Sequence, residues 1–559
     1  MSKKNILIGL AWPYANGSLH LGHAAAFVGA DVLARYHRVK GDDVLFVSGS
    51  DCYGTPIAVE ALNKNVAPKE IAEKYHEEFK NTLIKGLNFS YDRYGATTDK
   101  GHAEVVQELF LKLYKKGFLY TKIEKALFSP FLNRFLPDRF VEGKCPHCGY
   151  DGARGDQCDD CGKLLDPLEL IGPRVNTKIL PQKEGVSPED LKLEERETEH
   201  FFLKLSGLQE ELTKWVSETS DSWRLNASSF AKAFLKQGLQ DRAVTRDTDW
   251  GVPIPLEGYE NKRIYVWFEA VCGYYSASVI WARERGLRVA DWWQNDTAKH
   301  YYVHGKDNIP FHTIIWPGIL EAEGSLHLPN QIVSSEYLTL EGKQFSKSRG
   351  WAVWLPEFLE VFDGELLRYF LIANGPESGD TDFSWKEFQN RVNGELIGTY
   401  GNLVNRVLTF IERNYPDGVA YQSGDANLVS KLQEGCSAVG ELLEAGKFRQ
   451  AFREALSIAE ESNRYLDSKA PWKKVKTDDS DDVPGDLASL AHIIENLAVL
   501  FYPFVPSSSE KIFGMLGNKD SISWEYRRPQ KTYKVSGAEG LFKKVEDEEI
   551  EAQLKKLSK

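Results

Sequence analysis

The sequence predicts an α/β protein whose parallel sheet is interrupted by a long insertion and followed by an all-α bundle. Three observations carry this. Strand, loop, helix and strand follow one another over residues 5–54. Strand-like apolar runs return only after residue 263. Beyond about residue 390 apolar residues recur at helical spacing alone. With 559 residues, the chain has room for roughly three or four domains.

Residues 5–12 (NILIGLAW) form a continuous apolar run, as in a strand buried on both faces. PYANGSLHLGH follows, a turn-rich connection with two histidines, and a helix is expected from Ala24 to about Tyr36. Val44–Val47 predicts a second strand, ending in the polar loop Ser48–Gly54. In such sheets ligands bind beyond the carboxyl ends of strands, where both polar loops would lie. Residues 116–235 read as an insertion between two halves of one domain, with 182–200 a charged surface stretch. Ile264–Phe268 (IYVWF) and His300–Val303 predict further strands, so the second half runs over 236–325. Residues 326–390 make a junction. From 391 to 559 a helical bundle is expected. Leu396, Tyr400, Leu403, Val407 and Ile411 mark one apolar stripe. Further helices are expected over 428–445, 447–468 and 486–503, with a charged helix over 541–559.

Composition excludes some classes. The chain is 42% hydrophobic and 27% charged, with a net charge of −12. That is ordinary globular composition, not a wholly polybasic nucleic-acid binder. From residue 391 onward 23 basic and 26 acidic residues nearly balance, so a local basic strip is available. No run approaches the ~18 apolar residues of a membrane span. Pro13 cuts the N-terminal apolar run short, so no signal peptide is expected and the location reads as cytoplasmic.

Three groups of residues carry chemistry. His20-Leu21-Gly22-His23 stands where a loop enters a helix, whose N-terminus attracts anions. Gly342–Gly350 (GKQFSKSRG) is a basic, hydroxyl-rich loop suited to a polyphosphate. Taken singly, the first also reads as two surface histidines and the second as a solvated loop. No P-loop motif occurs. Of seven cysteines, Cys145, Cys148, Cys158 and Cys161 form two C-x-x-C pairs, a donor set for one tetrahedral structural Zn²⁺ in a reducing compartment. His147 is given no ligand role, and Cys52, Cys272 and Cys436 none at all.

Taken together, PYANGSLHLGH and, about 320 residues later, FSKSRG resemble the paired H-I-G-H and K-M-S-K-S signatures of class I aminoacyl-tRNA synthetases. The likeness is greatest to the methionine branch and runs over essentially the whole chain. It implies a Rossmann-type catalytic domain split into residues 1–115 and 236–325, a connective insertion with a zinc knuckle (116–235), a signature-loop junction (326–390) and a helical anticodon-binding domain (391–559). It implies activation of L-methionine with Mg²⁺-ATP to methionyl-adenylate and pyrophosphate, then transfer to the 3′ end of tRNA(Met).

By the same resemblance His20, His23 and Lys347 are catalytic, and Gly22, Gly305, Asp307, Ser346 and Lys347 meet ATP. Ala11, Trp12, Tyr14, Asp51, Trp267, Ala270, Tyr274 and His312 line the methionine site. A carboxylate such as Asp51 could pair with an ammonium, and aromatic edges suit a thioether. Asn402, Arg406 and Trp472 match anticodon readers, and a Trp among lysines suits a splayed base. Gln344 and Phe345 depart from the K-M of K-M-S-K-S; Lys343, one residue early, is a substitute for the missing lysine. FSPF (128–131) and RVNTK (174–178) lack a second set of cysteines, so one zinc is expected. Some 120 inserted residues are too few for the editing domain of leucine, isoleucine and valine relatives. Those specificities and cysteine remain the nearest alternatives, followed by a tRNA-independent H-x-G-H nucleotidyltransferase and a non-catalytic zinc-knuckle RNA-binding protein. DNA and membrane are not expected partners. Some longer relatives add a dimerising OB-type domain; this chain stops at LKKLSK, so a monomer is expected, with a dimer open.

Overall fold

The structure is a computed structural model describing residues 3–136, 140–155, 158, 160–161, 163, 165–176, 192–346, 350–475 and 482–557. Strand β1 (Asn5–Leu10) leads through a loop to helix α1 (Leu21–Lys40), which ends at Gly41 with φ +96°. Glycine accepts this left-handed turn at no steric cost. Strands β2 (Asp43–Ser50) and β3 (Arg93–Ala96) follow, then α2 (Lys100–Lys115). The insertion opens on an antiparallel pair, β4 (Leu119–Ser129) and β5 (Glu194–Leu203). Between them a three-stranded sheet carries the cysteines. Helices α3 (Val266–Glu269) and α4 (Gly273–Arg285) precede β6 (Lys299–Gly305) and β7 (Gln331–Ser335).

The central sheet has the order β7-β6-β1-β2-β3, with every pair parallel. Ile8 of β1 sits opposite Tyr301 and Phe46, so β1 is central and fully hydrogen-bonded. Its alternate side chains enter two cores. Ile6, Ile8 and Leu10 pack on the α1 side, and Leu7 packs with Leu45 and Val47 on the other. Burial on both faces is why the run is continuously apolar. The order reverses direction between β1 and β6, and there the loops beyond the two strands part to leave a crevice.

Past the sheet, α5 (Gly364–Ala373) joins the bundle of α6 (Asn402–Asn414), α7 (Ala426–Glu444), α8 (Phe448–Lys469), α9 (Val483–Phe501) and α10 (Pro506–Met515). The five stripe residues from Leu396 to Ile411 are all fully buried. Tyr36 near the end of α1 donates to Glu444 of α7 at 2.9 Å, tying sheet to bundle. No described helix is long and apolar enough to cross a membrane.

The structure corrects three expectations. IYVWF is not a sheet strand. Only Ile264 pairs, in a two-residue strand with Thr245 and Arg246, and Val266 onward is helical. The sheet does not stop at residue 325, because β7 lies at 331–335. The region after 390 is not wholly free of strand, since Val419–Ala420 pairs with Thr532–Tyr533.

Candidate active site and metal centre

The crevice is built from the loops after β1, β2 and β6. His20 caps α1: its Nδ1 accepts from Gly22 N at 3.2 Å, and His23 Nδ1 accepts from His20 N at 3.1 Å. Both rings therefore carry their neutral-state proton on Nε2. They lie 4.0 Å apart. A Cβ on Gly22 would stand 3.0 Å from the His20 ring.

Backbone hydrogen bonds clip the segment that follows the second signature to the first. Leu21 N donates to Val353 O, and Leu355 N donates to Leu19 O. Phe345, one of the departures from K-M-S-K-S, stacks on His20 at 4.7 Å and 9°. Ser346 exchanges backbone hydrogen bonds with Trp351. Lys343 lies over the Trp351 ring at 4.7 Å, and Gln344 is exposed. The predicted catalytic Lys347 lies outside the described residues. Across the crevice, Gly305 ends β6, and the exposed Asp307 accepts from the Tyr337 hydroxyl.

The pocket residues converge at the β1 end of the crevice. Trp12 is wedged among glycines: a Cβ at Gly49 would be 2.5 Å from its ring, and one at Gly273 2.8 Å. Backbone approach that close needs glycine. Tyr14 pairs its backbone with Asp51, and a Cβ on Gly54 would stand 3.5 Å from both Tyr14 and Val266. Ala11 hydrogen-bonds Val303 of β6. Trp267 meets Phe311 edge to face, and Ala270 caps α3. Tyr274 and His312 share a 2.7 Å hydrogen bond. His312 sits in a π-helical turn, Phe311–Ile315, an irregularity common at functional sites. Burial pushes its pKa down to about 4, so the ring is neutral near pH 7. His304, which no motif indicated, stacks on it at 4.2 Å. Asp51 is buried, and desolvation followed by the charge of Glu269 raises its carboxyl well above the usual range. Such a carboxyl is poised for a cation.

The four cysteine sulfurs all lie within 4.8 Å of one another. Cys145 and Cys161 are 3.9 Å apart, Cys148 and Cys158 3.6 Å. Four thiolates at ~2.3 Å around tetrahedral zinc stand ~3.8 Å apart, so this donor set fits Zn²⁺. On the bundle, Asn402 and Arg406 sit one turn apart on α6. Arg406 lies over the Trp472 ring at 4.6 Å and bonds Asp467 at 2.8 Å. Trp472 is 39% exposed, unusual for an indole and open to stacking.

A model of class I tRNA synthetases, methionine type, matches residues 6–408, and one of the anticodon binding domain of methionyl tRNA ligase matches 415–559. A methionine–tRNA ligase of Dehalococcoides mccartyi is 47% identical, covering 98% of this chain and 99% of its own. One of Streptococcus pneumoniae is also 47% identical, with the same shares covered. A Mycobacterium tuberculosis methionyl-tRNA synthetase solved with methionyl-adenylate shares the fold, with a TM-score of 0.80 at 24% identity over 96% of this chain and 99% of that one. The chain is thus a class I aminoacyl-tRNA synthetase, with an anticodon-binding domain in its C-terminal part. Within that class it belongs to the methionine–tRNA ligases.

Proposed function

We propose that the chain activates L-methionine with ATP and transfers the methionyl group to the 3′ end of tRNA(Met). The observation that carries this is the convergence of both signatures on one crevice beside a pocket of Trp12, Tyr274 and His312. A methionine carboxylate oxygen attacks the α-phosphorus, and the bond to the bridging oxygen breaks to release pyrophosphate. Catalysis of this kind is mostly positioning and charge stabilisation. His20 and His23 donate from Nε2 to the phosphates above the α1 N-terminus, and Gly22 leaves room for the nucleotide. Ser346 and Lys347 hold the leaving pyrophosphate. Gly305 and Asp307 bind the ribose side. Mg²⁺ accompanies ATP and supplies further neutralisation of the phosphates.

Asp51 pairs with the methionine ammonium. Ala11, Trp12, Tyr14, Trp267, Ala270, Tyr274 and His312 enclose the side chain. Neutral His312 donates from Nδ1 to Asn308 O and accepts the Tyr274 hydroxyl at Nε2, which fixes both rings in the wall around the thioether. Cys145, Cys148, Cys158 and Cys161 hold one structural Zn²⁺, which keeps no open position for substrate. Asn402, Arg406 and Trp472 read the anticodon, with Trp472 stacking a base. The catalytic second half runs through β7. We place the enzyme in the cytoplasm. Methionine-dependent ATP–pyrophosphate exchange tests the reading. Exchange with methionine alone, abolished in Lys347→Ala with the fold retained, is expected; equal exchange with leucine or cysteine would overturn it.

A further inference from the structure

Behind the pocket wall lies an acid that no motif indicated. Glu269 is the last residue of α3, next to Ala270, and is completely buried. His102 of α2 holds its Oε2 at 2.7 Å. Ser276 of α4 lies 2.8 Å from the other ring nitrogen of His102. The His102 ring in turn lies 6.1 Å from that of Trp12. Glu269 Oε1, by contrast, has no hydrogen-bond partner among the described residues. A buried carboxyl oxygen left without a partner is costly and calls for an explanation.

One proton arrangement pairs all of these groups at once. Ser276 has one hydroxyl proton and gives it to Gly273 O at 3.1 Å. It therefore accepts from His102 Nδ1–H. A neutral ring then presents Nε2 as an acceptor, so the proton between the pair sits on Glu269 Oε2. Burial lowers the His102 pKa to about 4 and raises that of Glu269, in agreement with a neutral pair. Asp51 lies on the same side: Trp12, whose ring is 6.1 Å from that of His102, packs on Gly49, two residues before Asp51.

We infer that Glu269 is the second carboxylate of the ammonium subsite: as the substrate amine arrives beside Asp51, Glu269 passes its proton to His102 and turns the freed charge toward the ammonium. The Oε2–H bond breaks and the Nε2–H bond forms across the 2.7 Å contact, so no proton enters or leaves the site. Two buried like charges are unfavourable until a cation lies between them. With Asp51 ionised throughout, the empty site carries one negative charge, and the filled site sets two carboxylates against the ammonium and the His102 imidazolium. The second carboxylate adds to the preference for amine-bearing thioethers that Asp51 begins. This inference rests on Asp51 as the primary ammonium partner.

The test uses two competitive ligands of the full-length enzyme. L-methioninol carries the amine, and 4-(methylthio)butan-1-ol lacks it. Glu269→Gln keeps the shape but cannot become an anion. It is expected to weaken methioninol by about 30-fold or more, as when one member of a buried charge pair is removed. The amine-free alcohol is expected to change less than twofold, which also reports an intact pocket. Glu269→Asp should recover part of the amine preference. Unchanged binding of methioninol, or equal loss of both ligands in both variants, would overturn the inference. Asp51→Asn separates the two readings. If it spares methioninol, the assignment of Asp51 itself fails. If it weakens methioninol while Glu269→Gln does not, only the role of Glu269 fails.

Discussion

Trp12 owes its position to atoms that are missing. A methyl at Gly49 would meet Trp12 Cζ3 at 2.5 Å and Gly95 O at 2.6 Å, and neither the indole nor the sheet backbone can retreat cheaply. Gly49→Ala should therefore push the indole into the methionine pocket. We expect the KM for methionine in pyrophosphate exchange to rise about tenfold, with the KM for ATP little changed. Overpacking should also cost about 1–3 kcal/mol of stability. An equal rise in both constants would show a general distortion of the crevice. At this scale the sequence was most legible where residues cluster in motifs. His20, Gly22, His23 and the four cysteines announce themselves by spacing. Glu269 and His102 do not, because their meaning comes from a contact between elements 167 residues apart in the chain. Phe345 looked like a departure from a pattern; its stacking on His20 gives it a place.

Among the elements, those with a clear period were readable and those without were not. β1 and α6 follow from continuous apolar burial and from a stripe at helical spacing. IYVWF misleads because a short apolar run fits a strand or a buried helix equally well. Here Val266–Glu269 makes one helical turn, with Val266, Phe268 and Glu269 buried. Two elements carry predictions. The zinc knuckle should bind one Zn²⁺ per chain, measured by elemental analysis. Cys148→Ser should lose the metal and open the insertion to protease while the bundle stays folded. Retained zinc would mean that another donor completes the site. On the bundle, Trp472→Ala removes a stacking face worth about 1–3 kcal/mol per base. Aminoacylation should fall through a higher KM for tRNA, and pyrophosphate exchange should stay at the parent level. A matching loss of exchange would place Trp472 in the fold rather than in recognition.

Across the whole molecule, buried ionisable groups join the sheet to the bundle and set the response to pH. Asp31 of α1 is fully buried and bonds Arg368 of α5 at 2.7 Å and Arg35 at 2.7 Å. Arg368 also donates to Phe504 O, beyond the end of α9. Burial alone would raise the Asp31 pKa, but the two guanidiniums outweigh it and hold the carboxyl at about 2. Its stabilising charge is complete above the unfolded value near 4 and is lost as pH falls toward 2. Three buried histidines act earlier. Burial lowers His102 and His312 to about 4 and His300 to about 3. The unfolded chain protonates these rings near pH 6.5 while the folded one does not. Unfolding therefore takes up protons between pH 6.5 and 4, and stability must fall with pH in that window. The thermal midpoint should drop in two stages, first through the histidine window and again below pH 4. Asp31→Asn leaves two buried arginines without their counter-charge, and should cost about 3–5 kcal/mol at pH 7. It should also flatten the second stage while leaving the first intact. Calorimetric scans of both proteins from pH 8 to pH 3 check the two stages separately. A midpoint that rises from pH 7 to pH 5 contradicts the histidine assignment, and an Asp31→Asn profile parallel to the parent below pH 4 contradicts the role given to the Asp31–Arg368 bridge.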